Sequence, residues 1–310
     1  MVAVTGDHLV RVTATSARAQ RAPRRSSWQR HLIAYVLIAP AVLLVPGMIA
    51  FPLVVELGQS LTDVTVSSPG HFVGLGEYAL VLHSPVFWNA VWNTFWLAAV
   101  STFLQLILGF LMACLLFGQL PGRSVALILF LLPWLLPAVL SAIALHLMLN
   151  PEVYVTDWLW LNRLSSGLAN TLLAVWPMLR MILISVWRGT SFFGIFLLAG
   201  LNRIPSALLD FADLEGVDGW NRFRLVYLPL LRPTIVLALV LSLTSTLSDF
   251  TNQWLLSGGR EVTNIVGTLA FEVGLTLGQY GQAAATSLTM LPVTVVLVLI
   301  LLRHLEGEAW

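Results

Sequence analysis

Of the 310 residues, 58% are hydrophobic and only 10% are charged, and the mean hydropathy is +0.86. A soluble domain needs roughly a quarter charged residues to wet its surface, so a cytosolic enzyme, a nucleic-acid module and a disordered chain are excluded and an integral membrane protein remains. The net charge of +1 hides a one-sided choice: all 16 basic residues are arginine. Without lysine the chain cannot supply the Lys-Ser or Lys-Thr that ends a phosphate-binding P-loop. The single Cys114 allows no internal disulfide, and the scattered His8, His31, His71, His83, His146 and His304 offer no pair at helical spacing, so no metal site is expected.

The chain opens with an arginine-rich tail, 1–31, holding Arg11, Arg18, Arg21, Arg24, Arg25 and Arg30. It resembles the start of a secretory signal, but the following apolar region is too long and no small-x-small cleavage site comes promptly. A retained signal-anchor helix is expected. Crossing the hydrocarbon layer takes about 20 helical residues, and six segments qualify: 32–57, 91–117, 124–149, 171–199, 233–256 and 284–303. None alternates polar and apolar residues at period two, so barrel strands are not the reading. The predicted fold is all-α and integral to the membrane, with six transmembrane helices over 32–303 and a short tail, 304–310.

The first span contains Pro40, Pro46 and Pro52, the third Pro133 and Pro137, and the fourth Pro177 and Gly189. Neighbouring helices can satisfy the carbonyls such residues free, so they mark either packing kinks or moving parts. The first external loop, about 58–90, holds the run Phe72 to Tyr78 and then Phe87, Trp88 and Trp92. The second, about 150–170, contains Asp157 to Arg163, an amphipathic segment suited to the interface. Most of the 12 tryptophans are expected in the interfacial belts, and Glu56 near headgroups.

Arginine placement sets the orientation. With the N-terminal tail in the cytoplasm, the same side receives Arg123, Arg203, Arg222, Arg224, Arg232 and Arg303. The opposite side receives only Arg163 and Arg260, while Arg180 and Arg188 fall within a span. Both termini are therefore expected inside a bacterial plasma (inner) membrane.

Polar side chains at mid-depth are costly unless they serve a cavity or pair with one another. Those that qualify are Trp187 and Arg188 in the fourth span and Asp249, Thr251, Asn252, Gln253 and Trp254 in the fifth. Arg188 and Asp249 suit either a structural ion pair or a solute path. In the second reading Asn252 and Gln253 hydrogen-bond sugar hydroxyls and Trp187 or Trp254 stacks on a ring face.

Between the fourth and fifth spans runs a cytoplasmic connection, about 200–231, too long for a simple turn. Pro205 fits the first turn of a helix; Leu208, Phe211, Ala212 and Leu214 fall largely on one side and Asp210, Asp213 and Glu215 are polar. Gly216 is placed to end the helix in a left-handed cap. A second apolar segment, Trp220 to Leu228, leads to Pro229. The pattern is a helix–Gly–helix elbow, with acids first and Arg222, Arg224 and Arg232 second. By spacing alone it suits an interfacial helix whose arginines meet lipid phosphates as well as a docking element.

This elbow resembles the EAA loop of binding-protein-dependent, ATP-driven (ABC) importers. Asp210-Phe211-Ala212 stands in the Glu-Ala-Ala place, Glu215-Gly216 in the acidic-Gly place and Leu225 to Pro229 at the end. The resemblance is closest to the maltose and glycerol-3-phosphate type of sugar permease subunit. It extends to Phe72 to Tyr78, Leu132-Pro133-Trp134, Val186 to Thr190 and Leu255 to Gly259, covering nearly the whole chain from about residue 32. Two departures stand out: Asp210-Phe211 replaces Glu-Ala, and the family's Gly-Gly-Gly-Pro is shortened to Gly258-Gly259-Arg260.

The resemblance implies a type I ABC importer fold and a non-catalytic permease subunit that forms a carbohydrate path. It implies a second permease subunit, two separate ATPase subunits that bind the ATP and magnesium, and an extracytoplasmic binding lipoprotein, with membrane lipid around the chain and no nucleic-acid partner. No cofactor is expected in this chain. ATPase docking would fall on Leu208, Asp210, Phe211, Ala212, Glu215, Gly216 and Pro229. The competing readings are an ion-coupled secondary carrier for a small polar solute, for which no convincing inverted repeat is visible, and a membrane-embedded enzyme, for which no catalytic pair is visible.

Overall fold

The structure is a computed structural model describing residues 27–118, 121–149, 166–217, 219–257 and 263–306. The tail 1–26, Asp157 to Arg163, and Gly258-Gly259-Arg260 lie outside the described residues. Residues 1–54 and 55–310 form two compact units. The first supplies most of helix α1, Ser27–Ser60, which keeps Pro40, Pro46 and Pro52 within one continuous helix. The remaining elements belong to the second unit.

Most of the expected spans appear as helices, extended at their ends. Helix α3 is Pro85–Phe117, α6 is Ser166–Leu201 and the last helix, α11, is Tyr280–Glu306. Among the described residues five helices are long and apolar enough to cross a membrane, or six if one bent pair counts as a single span. That pair corrects the expectation of one helix over 124–149. It is α4, Arg123–Leu135, and α5, Ala138–Met148, inclined at 93° to each other. The cause is local. A residue before proline is driven out of the helical region, and Leu136, preceding Pro137, sits at φ −68°, ψ 139°. Pro133, by contrast, is carried inside α4.

The fifth span differs from expectation at both ends. Its helix, α8, starts in the elbow and runs Gly219–Ser248, so Trp220 to Leu228 is continuous with the span. A proline ring at 229 would press on the carbonyl four residues back. The turn Phe223–Tyr227 is widened to a π-helix, with the Leu228 N–H donating to the Phe223 carbonyl, which relieves the crowding. At the other end the helix stops at Asp249 (φ −81°, ψ 73°), and a separate helix, α9, covers Phe250–Ser257.

Two short helices lie in the connections between spans. Helix α2, Gly76–His83, follows the first span behind a loop closed by the bridges Thr62↔Phe72 and Thr65↔Ser68. Helix α10, Val266–Thr276, is apolar but too short to span. The first loop rests on the turn before α11: the Val66 N–H donates to the Gly278 carbonyl (2.8 Å) and the Gly281 N–H to the Val64 carbonyl (3.0 Å).

Helices α3 and α6 make the most extensive helix pair of the second unit, with α8 against both. Phe193, Leu197 and Leu201 of α6 share one core with Ala113 and Leu116 of α3, Phe130 of α4 and Leu231 of α8. Lipid tails are as apolar as leucine, so membrane helices associate through close packing and interhelical hydrogen bonds. Gly189 permits a close approach of α3 and α6: a Cβ there would sit 2.2 Å from the Gln105 amide carbon. Gln105 is 3% exposed. It donates from Nε2 to the Ser185 carbonyl (2.9 Å) and accepts at Oε1 from the Ser242 hydroxyl (2.8 Å). One side chain thereby ties α3, α6 and α8 together.

Candidate functional site

Two regions carry the polar and exposed apolar residues of interest. The first is the elbow. Helix α7, Ser206–Leu214, begins after Pro205, which stands just before the helix rather than inside its first turn. At the other end Gly216 adopts φ +68°. Its N–H donates to the Asp213 carbonyl (3.1 Å), and the Val217 N–H donates to the Ala212 carbonyl (2.9 Å). That pair of bonds is the Schellman cap, so the expected left-handed stop is present.

On α7, Leu208 is 43% exposed, Phe211 61% and Leu214 86%, whereas Ala212 is 5% exposed. Ala212 is thus turned into the chain, and the outward apolar strip is Leu208, Phe211 and Leu214. Asp210 and Glu215 are exposed beside it. Asp213 pairs with Arg222, and the Arg222 guanidinium lies 5.8 Å from the Tyr227 ring centre. An exposed ion pair adds little stability, but it brings the acidic first half of the elbow onto the basic second half. Phe223 stacks edgewise on Phe110 of α3 at 5.0 Å, anchoring the elbow to the spans. Pro229 is exposed at the start of the straight part of α8.

The second region is a cavity of about 530 Å³ bounded by α3, α4, α5, α6, α8 and α9, within the usual range of about 300–1,000 Å³ for ligand pockets. Its lining includes Gln105, Trp134, Arg188, Ser242, Asp249 and Asn252. Asp249 sits at the break between α8 and α9 and caps the latter. Its carboxylate accepts from the Asn252 backbone N–H (3.3 Å) and from Asn252 Nδ2 (2.6 Å). Arg188 and Asp249 line the same cavity without being within ion-pair distance of each other.

Of the seven residues singled out in the fourth and fifth spans, the structure brings Arg188, Asp249 and Asn252 together in the cavity wall. The other four point elsewhere. Gln253 is 1% exposed and donates to the Ser185 hydroxyl at 3.4 Å. Trp254 packs against Phe250 (6.3 Å) and Phe271 (4.6 Å). Trp187 and Thr251 are both exposed and lie outside the lining. Trp134 is the tryptophan that lines the cavity, and neither Trp187 nor Trp254 does. Sequence reasoning missed Gln105, although an amide inside the apolar run 95–117 was a usable signal. It also missed the hydroxyl-rich face Ser242, Ser245 and Thr246, which repeats at helical spacing.

In the connections, Glu77 of α2 is buried. Burial first, and the nearby Asp63 carboxylate second, raise its carboxyl above the ordinary range.

Broken spans around a polar cavity, with an exposed elbow at one end, define a membrane permease subunit. The chain belongs to the family of binding-protein-dependent transport system inner membrane components, whose model matches residues 105–306. The trehalose/maltose transport system permease protein MalF of Thermococcus litoralis is 34% identical over 260 residues, 83% of this chain and 88% of that one. The sulfoquinovosyl glycerol transport system permease protein SmoG of Agrobacterium fabrum is 30% identical over 279 residues, 85% and 88% of the two chains. The trehalose transport system permease protein SugA of Mycobacterium tuberculosis is 28% identical over 244 residues, 77% and 78%. The fold is that of a type I ABC importer permease. It matches a chain of a bacterial alginate ABC transporter with a TM-score of 0.73 at 20% identity, covering 91% of this chain and 98% of that one.

Proposed function

We propose that this chain is a pathway-forming permease subunit of an ATP-driven carbohydrate importer. The observation that carries the reading is the α7 elbow: a short helix between two spans, stopped by a left-handed Gly216, that holds Leu208, Phe211 and Leu214 out of the chain. An apolar strip flanked by Asp210 and Glu215 suits a groove on another protein. In this reading the groove belongs to an ATPase subunit that binds ATP and magnesium, since this chain has no lysine for a P-loop.

Two ATPases closing on ATP would draw the elbows with them. The spans would follow because Phe223 and Leu231 join the elbow to the core shared with α3 and α6. The ATP-bound engine need only prefer one arrangement of the spans over the other. The cavity at Arg188, Asp249 and Asn252 would hold the solute in passage, and Gln105 would brace its floor. A second permease subunit would complete the path, and an external binding protein would deliver the solute. The name of one structural neighbour, an alginate transporter in complex with a pentasaccharide-bound periplasmic protein, is in keeping with that arrangement. Arginine placement puts both termini, with tails 1–31 and 304–310, in the cytoplasm.

Affinity purification from native membranes tests the reading. An ATPase subunit is expected to copurify, and Phe211→Asp is expected to release it about tenfold or more while the chain still inserts, because it places a charge in the buried strip of the interface. Transport by the purified chain alone, driven by an ion gradient, would establish the secondary-carrier reading instead.

A further inference from the structure

The cavity carries one guanidinium, Arg188, and one carboxylate, Asp249, and no other charged side chain among its described lining. The two charges are not paired with each other. Arg188 Nη1 is buried without a hydrogen-bond partner. Asn252 is 5% exposed. It donates from Nδ2 to Asp249 and has an Oδ1 with no partner. Buried donors and acceptors are ordinarily satisfied. These two unpartnered atoms are closed off from the cavity as the side chains stand, but both belong to residues of its wall. A small rotation of either side chain would offer a donor or an acceptor to a ligand.

We propose that Arg188, Asp249 and Asn252 form a charge-balanced recognition site for a neutral, polyhydroxylated solute, and that the site rejects sugars bearing net charge, whether phosphorylated or aminated. A hydroxyl both accepts and donates. One sugar hydroxyl accepts from the Arg188 guanidinium, while another donates to the Asp249 carboxylate. Trp134 offers an apolar surface to the C–H face of the ring. Because the charges of Arg188 and Asp249 sum to zero, a neutral solute leaves none uncompensated. A sugar phosphate gains Arg188 but meets the Asp249 carboxylate, and an amino sugar meets the reverse. Selection therefore comes from repulsion as well as from attraction. This inference rests on the permease reading and narrows its solute class.

The test uses the assembled transporter in lipid nanodiscs without its binding protein, so that selection by the latter does not enter. Before any probe is added, copurification of the ATPase and ATP hydrolysis are measured. Binding is then titrated calorimetrically with trehalose, the neutral disaccharide in the names of two relatives, with anionic trehalose 6-phosphate and with cationic trehalosamine. Trehalose is expected to bind about tenfold or more tightly than either charged analogue. Asp249→Asn should shift the preference toward trehalose 6-phosphate, and Arg188→Gln toward trehalosamine. Equal affinities for the three probes, absence of trehalose binding, or variants with unaltered charge preference would overturn the proposal. If a variant fails to assemble, the ranking of the three probes by the parent complex decides. An assembled, ATP-hydrolysing complex without that ranking sinks this proposal alone, whereas absence of an ATPase sinks the ATP-driven importer reading beneath it.

Discussion

At the scale of single residues, Gly216 has the most exacting position. Its φ of +68° lies where only glycine is unstrained, and its N–H closes the cap of α7. Proline can supply neither the angle nor the donor. Gly216→Pro is expected to disturb the end of α7 without touching the spans, since a Cβ at 216 meets nothing within 4 Å. In reconstituted complex, ATP hydrolysis should persist while solute uptake falls about tenfold or more, a gap of ~1.4 kcal/mol in coupling; unchanged uptake would remove the docking role from the elbow. Glu77 shows a different residue-level effect. Its carboxyl titrates above the ordinary range, chiefly through burial. An acid whose folded pKa is raised binds its proton more tightly in the folded state, so its contribution is most favourable at low pH and is lost as pH rises through the raised value. Glu77→Gln should therefore raise the thermal midpoint of the detergent-solubilised protein at neutral pH. The difference should shrink as pH falls toward the ordinary glutamate value of about 4.3, and a difference independent of pH would mean that the charge is not its cause.

At the scale of elements, two backbone interruptions shape the spans, and each has a local chemical cause. Pro137 forces Leu136 into an extended conformation and separates α4 from α5. Pro229 is accommodated by the π turn at Phe223–Tyr227, which keeps α8 continuous from the elbow into the membrane. The elbow and the fifth span are consequently one mechanical piece. The contact of Gln105 with Gly189 holds α3 and α6 close, and its bond with Ser242 adds α8. Gln105→Leu keeps much of the volume but removes both hydrogen bonds, at an expected loss of about 1–2 kcal/mol given the modest worth of such bonds in membranes. Chemical denaturation in mixed micelles measures it. A variant as stable as the parent would mean that shape at Gly189 alone holds the three helices.

At the scale of the whole molecule, the order of the apolar segments, the all-α class and the left-handed stop at Gly216 were legible in the sequence, whereas the count of six spans holds only if the bent pair α4 and α5 is one span. Hydropathy adds up along a continuous run, and a cap depends on residues within one turn of it, so both are local properties. The bend at Leu136–Pro137 was only half legible: the prolines were visible, but whether each would be carried in a helix, as Pro133 is, or break one, as Pro137 does, depends on the neighbours available to satisfy freed carbonyls. Helix α10 was missed because a short apolar segment gives no membrane-length signal.

The cavity divides along the same line. Its polar residues in the fourth and fifth spans were conspicuous as expensive side chains in an apolar setting, and composition alone determined that this chain lives in a membrane and lacks a lysine-based ATP site. Only the tertiary structure decided that Asn252 faces the cavity while its neighbour Gln253 faces Ser185, that Trp254 is enclosed by Phe250 and Phe271, and that Gln105, distant in sequence, joins Ser242. The physical reason is range. Insertion and capping are settled by residues close in the chain, whereas the break at Asp249 and the packing of α9 reset which faces point inward, and that packing depends on contacts from helices far away in sequence.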